Sequence, residues 1–512
     1  MSQCSKVETA GIPAPGRSVP ATSERCNMTQ PTFSDAKAED AYRFIIKLGV
    51  VGHGVGVTPF RLESYLSRTA QALGLNGEFM STLTSINFAI WQSDDLYQRT
   101  HFVTTSAPSF DMTRLAEVSD LVKQVEAGTV TLAEGSAALD DLDDKTGHPP
   151  TYNAALVGVG YALSSAGFAI MLSMSRFDAL VAVVLSLVVY AIVLIAADRP
   201  ALGRRVEVTS GLVVSVLASL LALHVPGSDA PMVTLCALVM LLPGFSLTAG
   251  MAELSTQHVV AGMQRLVSGV LTTFNLFLGA TAGTLCVMQF STIPDPATPP
   301  AMPAIWVFVP AIALVAGTAI VFQVRPKDFG WAVLGGVLAY CGVLVGNQFG
   351  FWQGSFVGAV TLGIFANIYA WLLGRPTSIV MLTAIMVLVP GAGAYRTLQA
   401  AATSGAASGL AAEWQVIINI LAILCGVLVA LTIVPPKPTL QAGRARSRPR
   451  LTGEANGPPS AVFQGHSRQH DNALDSLGVL PVHRLKADVK LACVEKPSKK
   501  ASSCNLTFSS SR

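Results

Sequence analysis

The segment Leu241–Leu254, LLPGFSLTAGMAEL, lies within a long apolar stretch and places Pro243 and Gly244 where a membrane helix would otherwise be continuous. A second segment, LVPGAGAYRTL, contains the same pair at Pro390 and Gly391. Proline removes one backbone hydrogen bond and clashes with the preceding turn, and glycine weakens the helix further. In hydrocarbon, freed carbonyls are tolerated only where protein buries them or where they line a watery cavity. The recurrence therefore favours two broken helices at a binding site, with two ordinary proline kinks as the alternative.

The composition is that of a membrane protein. Of 512 residues, 51% are hydrophobic and only 13% are charged, whereas soluble domains average about 25% charged residues. The net charge of +3 is too small to indicate nucleic-acid binding. The eight cysteines form no CxxC pair and lie near no histidines at metal-ligand spacing, so we expect free thiols and no metal site. Because the sequence also shows no Ser-His-Asp, Cys-His or Walker pattern, we expect neither catalysis nor a cofactor.

Composition divides the chain into five regions. Residues 1–36 are predicted to form a disordered leader, and residues 435–512 a disordered basic tail. Residues 37–150 have the composition of a small soluble α+β domain, with two helical patterns, two β-rich stretches and two further helices that begin at capping residues. The β-rich stretches EFMSTLTSINFAIWQ and QRTHFVTTSAPS, joined by SDDLY, indicate a hairpin. Residues 153–290 and 303–434 are almost entirely apolar.

Ten apolar segments approach the length that crosses a bilayer, which takes about 20 residues. The first forty residues contain no apolar run of signal-peptide length, so we expect a cytoplasmic N-terminus. Arg and Lys then concentrate in the internal loops, while the external loops hold only Arg176 and Arg396, which places both termini in the cytoplasm. The ten predicted spans are 153–175, 177–197, 207–225, 231–252, 266–289, 304–324, 329–346, 352–373, 377–398 and 413–434.

The two apolar regions resemble each other. RFDALVAVVLSLVVY, ending at Tyr190, parallels KDFGWAVLGGVLAY, ending at Tyr340, and an Arg-Pro pair follows the second and the eighth predicted span. Two units of five spans each must enter the membrane in opposite orientations, because five is odd. We therefore predict a mainly α fold with about ten transmembrane helices in two five-helix inverted repeats, preceded by a small cytoplasmic α+β domain. Inverted repeats are a transporter architecture that binds substrate near the bilayer midplane.

Three ionisable residues near the first break are candidates for transport. Ionisable groups are costly inside a membrane, so Glu253, His258 and Arg265 are candidates for binding substrate or carrying a coupling proton. The alternative is an interfacial Glu253–Arg265 pair that fixes the loop. Near the second break, Arg396 follows Tyr395, and this arginine either attracts a substrate carboxylate or snorkels to the interface.

Polar residues elsewhere add further candidates. Asn275, together with Asn367 and Asn419, either hydrogen-bonds a zwitterionic substrate or joins helices. In the soluble domain, Arg61 and Glu63 lie two residues apart and so on different helix faces. We expect these two residues to cap the domain or to dock it onto the internal loops. Because the domain directly precedes the first span, we expect it to gate access from the cytoplasm.

The combined motifs resemble the ThrE-type family of threonine/serine exporters. Four segments within about residues 45–434 carry the resemblance: GVGVTPFRLESYLSRTAQALGL, FDMTRLAEVSDLVKQVEAGTVTLAEGSAALDDL, LLPGFSLTAGMAELSTQHVVAGMQRLVSGV and LVPGAGAYRTL. Glu253 stands where this pattern leads us to expect an aspartate, which leaves the substrate open. The resemblance implies proton-coupled export of small amino acids such as threonine and serine across a bacterial inner membrane.

Other functions remain as alternatives. They are an exporter of small dicarboxylates, and a membrane-anchored regulatory or enzymatic module that acts through residues 37–150. An anchor needs one or two spans rather than ten with a duplicated break, so we favour the exporter. A channel is disfavoured because no filter sequence is evident. The expected partners are a small amino acid, protons and the lipid bilayer, with no nucleic acid, and a homo-oligomer is compatible with the sequence.

Overall fold

The structure is a computed structural model that describes residues 36–92, 98–106, 108–144, 149–225, 227–255, 257–290, 308–388 and 406–435. Over these residues the chain is mainly helical and contains one small sheet. The strands are β1 (Leu75–Ser81), β2 (Ser85–Gln92) and β3 (Arg99–Thr104). The helices are α1 (Ala36–Gly54), α2 (Pro59–Ala72), α3 (Met112–Glu126), α4 (Leu132–Asp143), α5 (Ala154–Met171), α6 (Arg176–Ala197), α7 (Pro200–Gly203), α8 (Val206–His224), α9 (Ala230–Ala237), α10 (Gly244–Ser255), α11 (Val259–Met288), α12 (Phe308–Val321), α13 (Pro326–Asn347), α14 (Phe351–Leu373), α15 (Ser378–Ala384) and α16 (Ala406–Ile433).

Helices α1 to α4 pack with the sheet around a shared apolar core. Phe44 and Leu48 of α1, Leu62 of α2 and Phe88 of β2 are almost fully buried in this core. The last two helices begin at the capping residues that the sequence predicts. Asp111 accepts a hydrogen bond from the amide of α3's first turn, and a capping box closes the start of α4.

The sheet has three antiparallel strands in the order β1-β2-β3, instead of the predicted two-stranded hairpin. The stretch predicted as one strand turns back between β1 and β2. The amide of Ser85 donates to the Thr82 hydroxyl at 3.1 Å, and the amide of Thr82 donates to the Ser85 carbonyl at 2.8 Å. Such local hydroxyl-to-backbone bonds compete with strand extension, which explains the additional turn. The predicted SDDLY connection lies outside the described residues.

Six described helices are long and apolar enough to cross a membrane, namely α5, α6, α8, α11, α13 and α14. Helices α9 and α10 together also satisfy this criterion but meet at a 55° bend, so they add a seventh, broken span. Shorter apolar helices occur at Phe308–Val321, Ser378–Val387 and Ile418–Ile433. The protein is therefore a membrane protein with six to seven candidate spans among the described residues. The predicted spans 304–324 and 377–398 both extend outside these residues.

The order of elements repeats along the membrane part. Helix α6 begins at Arg176 and α13 begins 150 residues later at Pro326, and both have 22 residues. Helices α9 and α15 each end in a 3-10 turn, at Val239–Leu241 and at Ile385–Val387. The similarity of the two apolar regions in sequence thus has a structural counterpart.

The first helices of the two halves pack closely and run in opposite directions. Gly160 of α5 faces Gly317 of α12, and Gly167 faces Leu314. Residue numbers increase along α5 and decrease along α12 in the same direction, so the two helices are antiparallel. These glycines allow close backbone approach, as is common between membrane helices.

The soluble domain packs on one end of the helical bundle. The amides of Met112 and Thr113 donate to the carbonyls of Phe322 and Gln323 at 3.0 and 3.1 Å. The Gln323 side chain also accepts a hydrogen bond from the amide of Tyr152, directly ahead of α5. The start of α5 and the end of α12 therefore both lie at the domain side.

Candidate functional site at the broken helices

The first break separates α9 from α10. Pro243 has no amide to donate to the carbonyl of Val239, which instead accepts a 3.3 Å bond from the amide of Leu242. The amide of Gly244 donates to the Leu242 carbonyl at 2.9 Å, so the helical pattern is interrupted over the Pro-Gly pair. Helix α10 then begins at Gly244, and its first-turn amides lie at the break.

In the second half, the described part of the corresponding helix also ends in a 3-10 turn. Helix α15 ends at Ala384 and continues as a 3-10 turn, in which the amide of Leu388 donates to the Ile385 carbonyl. This turn begins 146 residues after the corresponding turn of the first half. Four predicted site residues lie outside the described residues: Pro390, Gly391, Tyr395 and Arg396.

The two 3-10 turns share buried surroundings. Val387 packs in the apolar cluster that contains Val239 and Leu242, whereas Phe245 packs on the cluster that contains Leu388. The interrupted backbone of the first half therefore lies inside protein, where a membrane tolerates it. Buried threonines lie beside the second turn, and the Thr318 hydroxyl of α12 donates to the Thr383 carbonyl at 3.2 Å.

Glu253 and Arg265 form a buried ion pair between α10 and α11. The Arg265 Nε atom lies 3.1 and 3.2 Å from the two carboxylate oxygens of Glu253. The two helices approach closely because a backbone carbonyl lies against each of Gly250 and Gly262. The guanidinium also stacks 5.9 Å from the centre of the Phe245 ring, one residue past the break's glycine. Removing one partner of a buried pair destabilises a protein by about 3–5 kcal/mol, so this pair joins the α10–α11 hairpin firmly.

Helix α2 contacts both broken helices at the domain side. The Arg61 Nη2 atom donates to the hydroxyl of Thr377, the residue before α15, at 2.9 Å. Glu63 Oε2 lies 3.4 Å from Nε2 of His258, just after α10, and the Phe60 ring packs edge-on against the same imidazole. Arg61 and Glu63 thus point to different loops, as their spacing predicts.

An aromatic stack continues from the ion pair into the soluble domain. Phe110 packs edge-to-face on both Phe245 and Phe322, with ring centres 5.2 and 6.3 Å apart. Nearby, His53 is buried in the domain, and its Nε2 atom bonds the Thr82 carbonyl at 3.0 Å. Burial lowers the pKa of His53 from its ordinary value of 6.5, and the positive charge of Arg265 lowers it further.

The predicted asparagines occupy separate places. Asn275 lines an open groove of about 640 Å³ between α8, α11 and the β1–β2 turn, together with Arg204, Glu207 and Gln264. Asn367 is buried and donates to the Val434 carbonyl, which is a helix-joining contact. Asn419 is also buried. Asn275 therefore lines a groove, whereas Asn367 joins two parts of the bundle.

Sequence reasoning missed two buried carboxylates, Asp178 at the start of α6 and Asp328 at the start of α13. The signal was present in the two similar stretches that end at Tyr190 and Tyr340, because aligning the tyrosines also aligns the aspartates. Each aspartate bonds to a residue that lies shortly before a broken helix, at Ser228 and at Arg375.

Two family models match the chain one after the other. The model described as "Putative threonine/serine exporter" matches residues 43–287, and the model described as "Threonine/Serine exporter, ThrE" matches residues 304–433. The first match covers the soluble domain and the first half of the bundle, and the second match covers the other half.

Curated relatives are distant. A "Probable threonine/serine exporter" of Mycobacterium tuberculosis is 24% identical over 64% of this chain and 63% of its own length. "Pheromone-regulated membrane protein 10" of Yarrowia lipolytica is 24% identical over 68% of this chain and 29% of its own. The protein of that name from Candida albicans is 25% identical over 72% and 34%. The chain thus spans less than two thirds of each of these relatives. No solved structure matches.

Proposed function

Because the chain belongs to the threonine/serine exporter family, we propose that it exports small polar amino acids such as threonine and serine in exchange for protons. Family membership makes the protein a transporter and not an enzyme. The observation that carries the proposal is the pair of 3-10 turns that follow apolar helices at corresponding places in the two halves, at Val239–Leu241 and Ile385–Val387, with shared buried surroundings.

An interrupted helix offers both kinds of polar group that a zwitterion requires. The amides of the first turn of α10, beginning at Gly244, carry partial positive charge and suit a substrate carboxylate. The carbonyls released around Pro243 suit its ammonium group. In the second half, we assign the equivalent role to the sequence pair Pro390 and Gly391. The substrate is held between the two breaks, and the two halves rock around it to open alternately on either side.

We further propose that the bundle has ten spans in two inverted five-helix repeats, 153–290 and 303–434, in a bacterial inner membrane. The antiparallel packing of α5 on α12 supports the inversion, since these are the first helices of the two halves. The domain at 37–150 contacts the start of α5 and the end of α12. With an even number of spans, both termini and the domain can lie in the cytoplasm. This orientation agrees with the contacts of the domain and with the distribution of arginines among the loops.

Individual residues receive roles on this basis. The Glu253–Arg265 pair keeps α10 and α11 moving as one hairpin, and His258 links the hairpin to the soluble domain. Asn275 lines the groove through which a polar solute approaches. Outside the described residues, Tyr395 and Arg396 attract the substrate carboxylate. Through Arg61 and Glu63, the soluble domain gates access from the cytoplasm.

A dipeptide-feeding assay tests the proposed activity. Cells that lack other exporters are fed threonine- or serine-containing dipeptides, and the external amino acid is measured over time with and without the protein. We expect faster external accumulation in cells that contain the protein. Equal accumulation in both strains would contradict amino-acid export. Parallel loading with succinate or malate tests the dicarboxylate alternative, which predicts accumulation of the dicarboxylate alone.

A further inference from the structure

Two buried aspartates occupy equivalent positions in the two halves. Asp178 and Asp328 each lie in the first turn of a 22-residue helix, 150 residues apart, with 4% and 0% of their surface exposed. A capping role alone would require contacts only within each helix end. Each carboxylate instead reaches a second element, which indicates a further task.

The second contact lies just before α9 in the first half and just before α15 in the second half. Asp178 Oδ1 accepts a hydrogen bond from the hydroxyl of Ser228, two residues before α9. Asp328 Oδ1 accepts one from the guanidinium of Arg375, three residues before α15. Ser228 and Arg375 lie 147 residues apart, so the two contacts are counterparts. Asp178 therefore anchors the start of α9, and Asp328 anchors the start of α15.

The groups that bond to the two aspartates differ in charge. Asp328 is held by Arg375, by Arg325 at 3.6 Å and by the Tyr369 hydroxyl at 2.8 Å. The partners of Asp328 therefore include two guanidinium groups, each about one fifth exposed. Asp178 bonds instead to hydroxyl groups, from Ser228 and from Ser175 at 2.8 Å. A hydroxyl donates to a carboxylate but can rotate and accept from a carboxylic acid, so this site accommodates both protonation states.

The two anchors also lie at opposite ends of the bundle. Arg325 contacts Asp120 of the soluble domain at 3.5 Å, which places Asp328 at the domain side. Helix α6 ends near Arg204, which lines a groove with Leu83 of the domain, so its first turn lies at the far end. The 22 residues of α6 span about 33 Å at 1.5 Å per residue.

In the part of the chain that the structure describes, charged and titratable groups on α6, α8 and α9 lie near Asp178 but form no ion pair with it. On α6 itself, Arg176 is exposed. At the adjoining end of α8, His224 is exposed and bonds its own helix through the Leu220 carbonyl. On α9, Asp229 caps the helix and the thiol of Cys236 contacts a methionine. Among the described residues, Asp178 forms no ion pair.

We propose that Asp178 is the proton-binding carboxylate of transport, and that Asp328 is its ion-paired counterpart. This inference rests on the proposed proton-coupled export. A proton from the outer aqueous phase binds an oxygen of Asp178, the Ser228 hydroxyl turns from donor to acceptor, and the anchor of α9 loosens. The same proton leaves to the cytoplasm after the halves have rocked. The inner anchor at Arg375 works through its ion pair and takes up no proton.

Two transport measurements on the protein in reconstituted vesicles distinguish proton coupling from movement of the substrate. Labelled threonine transport is measured once under an imposed pH gradient and once as exchange against unlabelled threonine without a gradient. For Asp178→Asn, we expect gradient-driven transport to fall about tenfold or more, because an amide binds no proton, while exchange remains comparable to wild type. Asp178→Glu should restore part of the gradient-driven rate. Asp328→Asn should lose both activities and melt at lower temperature.

Several outcomes would overturn the inference. Gradient-driven transport that survives Asp178→Asn would show that the proton binds elsewhere. Loss of both activities in Asp178→Asn, with a melting temperature lowered as far as in Asp328→Asn, would reduce Asp178 to a helix cap. If the wild-type protein itself moves no threonine or serine in either mode, the proposed function has failed rather than this assignment.

Discussion

At the residue scale, His53 should make the stability of the soluble domain depend on pH. Burial lowers its pKa below the ordinary value of 6.5, and the nearby Arg265 charge acts in the same direction. The folded state therefore binds fewer protons than the unfolded chain. The stabilisation is present above pH 6.5 and is lost as pH falls through the unfolded value towards the lower folded pKa. We expect the melting temperature to drop over this interval.

The measurement is a series of melting curves at decreasing pH for wild type and His53→Asn. The variant should show a weaker drop, because asparagine takes up no proton. His101 in β3 is exposed and provides the matched control, so His101→Asn should follow the wild-type curve. A drop of equal size in wild type and in His53→Asn would mean that other groups are responsible.

At the element scale, the closeness of α5 and α12 should depend on glycine. A Cβ atom at Gly167 would lie 2.5 Å from the Leu314 amide and from the Pro310 carbonyl, whereas a Cβ at Gly330 of α13 would meet nothing within 4 Å. We expect Gly167→Ala to destabilise the protein by about 1–3 kcal/mol, since rigid backbone must move. Gly330→Ala should be neutral or stabilising by up to about 1 kcal/mol. Melting temperatures in detergent compare the two variants, and equal shifts would refute the close packing.

The first helix break belongs to the same scale. In a helix interior, proline costs about 3 kcal/mol relative to alanine, so Pro243→Ala should shift a break-to-helix equilibrium about a hundredfold towards a continuous helix. We expect export to fall while the protein remains folded. Pro200 is the first residue of α7, where proline is well accepted, so Pro200→Ala is the control and should export normally. Normal export by Pro243→Ala, with the bend between spin labels on α9 and α10 lost, would remove the break from the mechanism.

A feature could be predicted from the sequence when the interactions that produce it join residues close together in the chain. Proline acts on its own turn, so the break at Pro243 was visible in the chain, as were the caps at Asp111 and Thr131. The turn at Thr82 depends on hydroxyl-to-backbone bonds that residue type alone does not specify. The partners of Asp328 were hidden for another reason. Arg375 lies 47 residues away in sequence, and only the packing of α13 against the start of α15 brings the two together.

At the scale of the whole molecule, the soluble domain and the bundle form a connected unit through α2. This helix contacts the start of one broken helix through Arg61 and the end of the other through Glu63. A movement of either half therefore changes a contact with the same helix. Helix α2 therefore connects the domain to both halves of the bundle.

The bond between Arg61 and Thr377 should hold the start of α15 in place. A hydrogen bond to a charged group contributes about 1.5–3 kcal/mol, so its loss should speed local opening of α15 by about tenfold or more. We expect faster amide hydrogen exchange over Ser378–Ala384 in Arg61→Ala and in Thr377→Val. Because both substitutions remove the same bond, the double variant should exchange no faster than either single variant. Arg43→Ala breaks only an exposed ion pair with Glu39 and should leave α15 unchanged. Additive effects of the two substitutions would mean that they act on α15 independently, and the proposed restraint by the domain would then lose its basis.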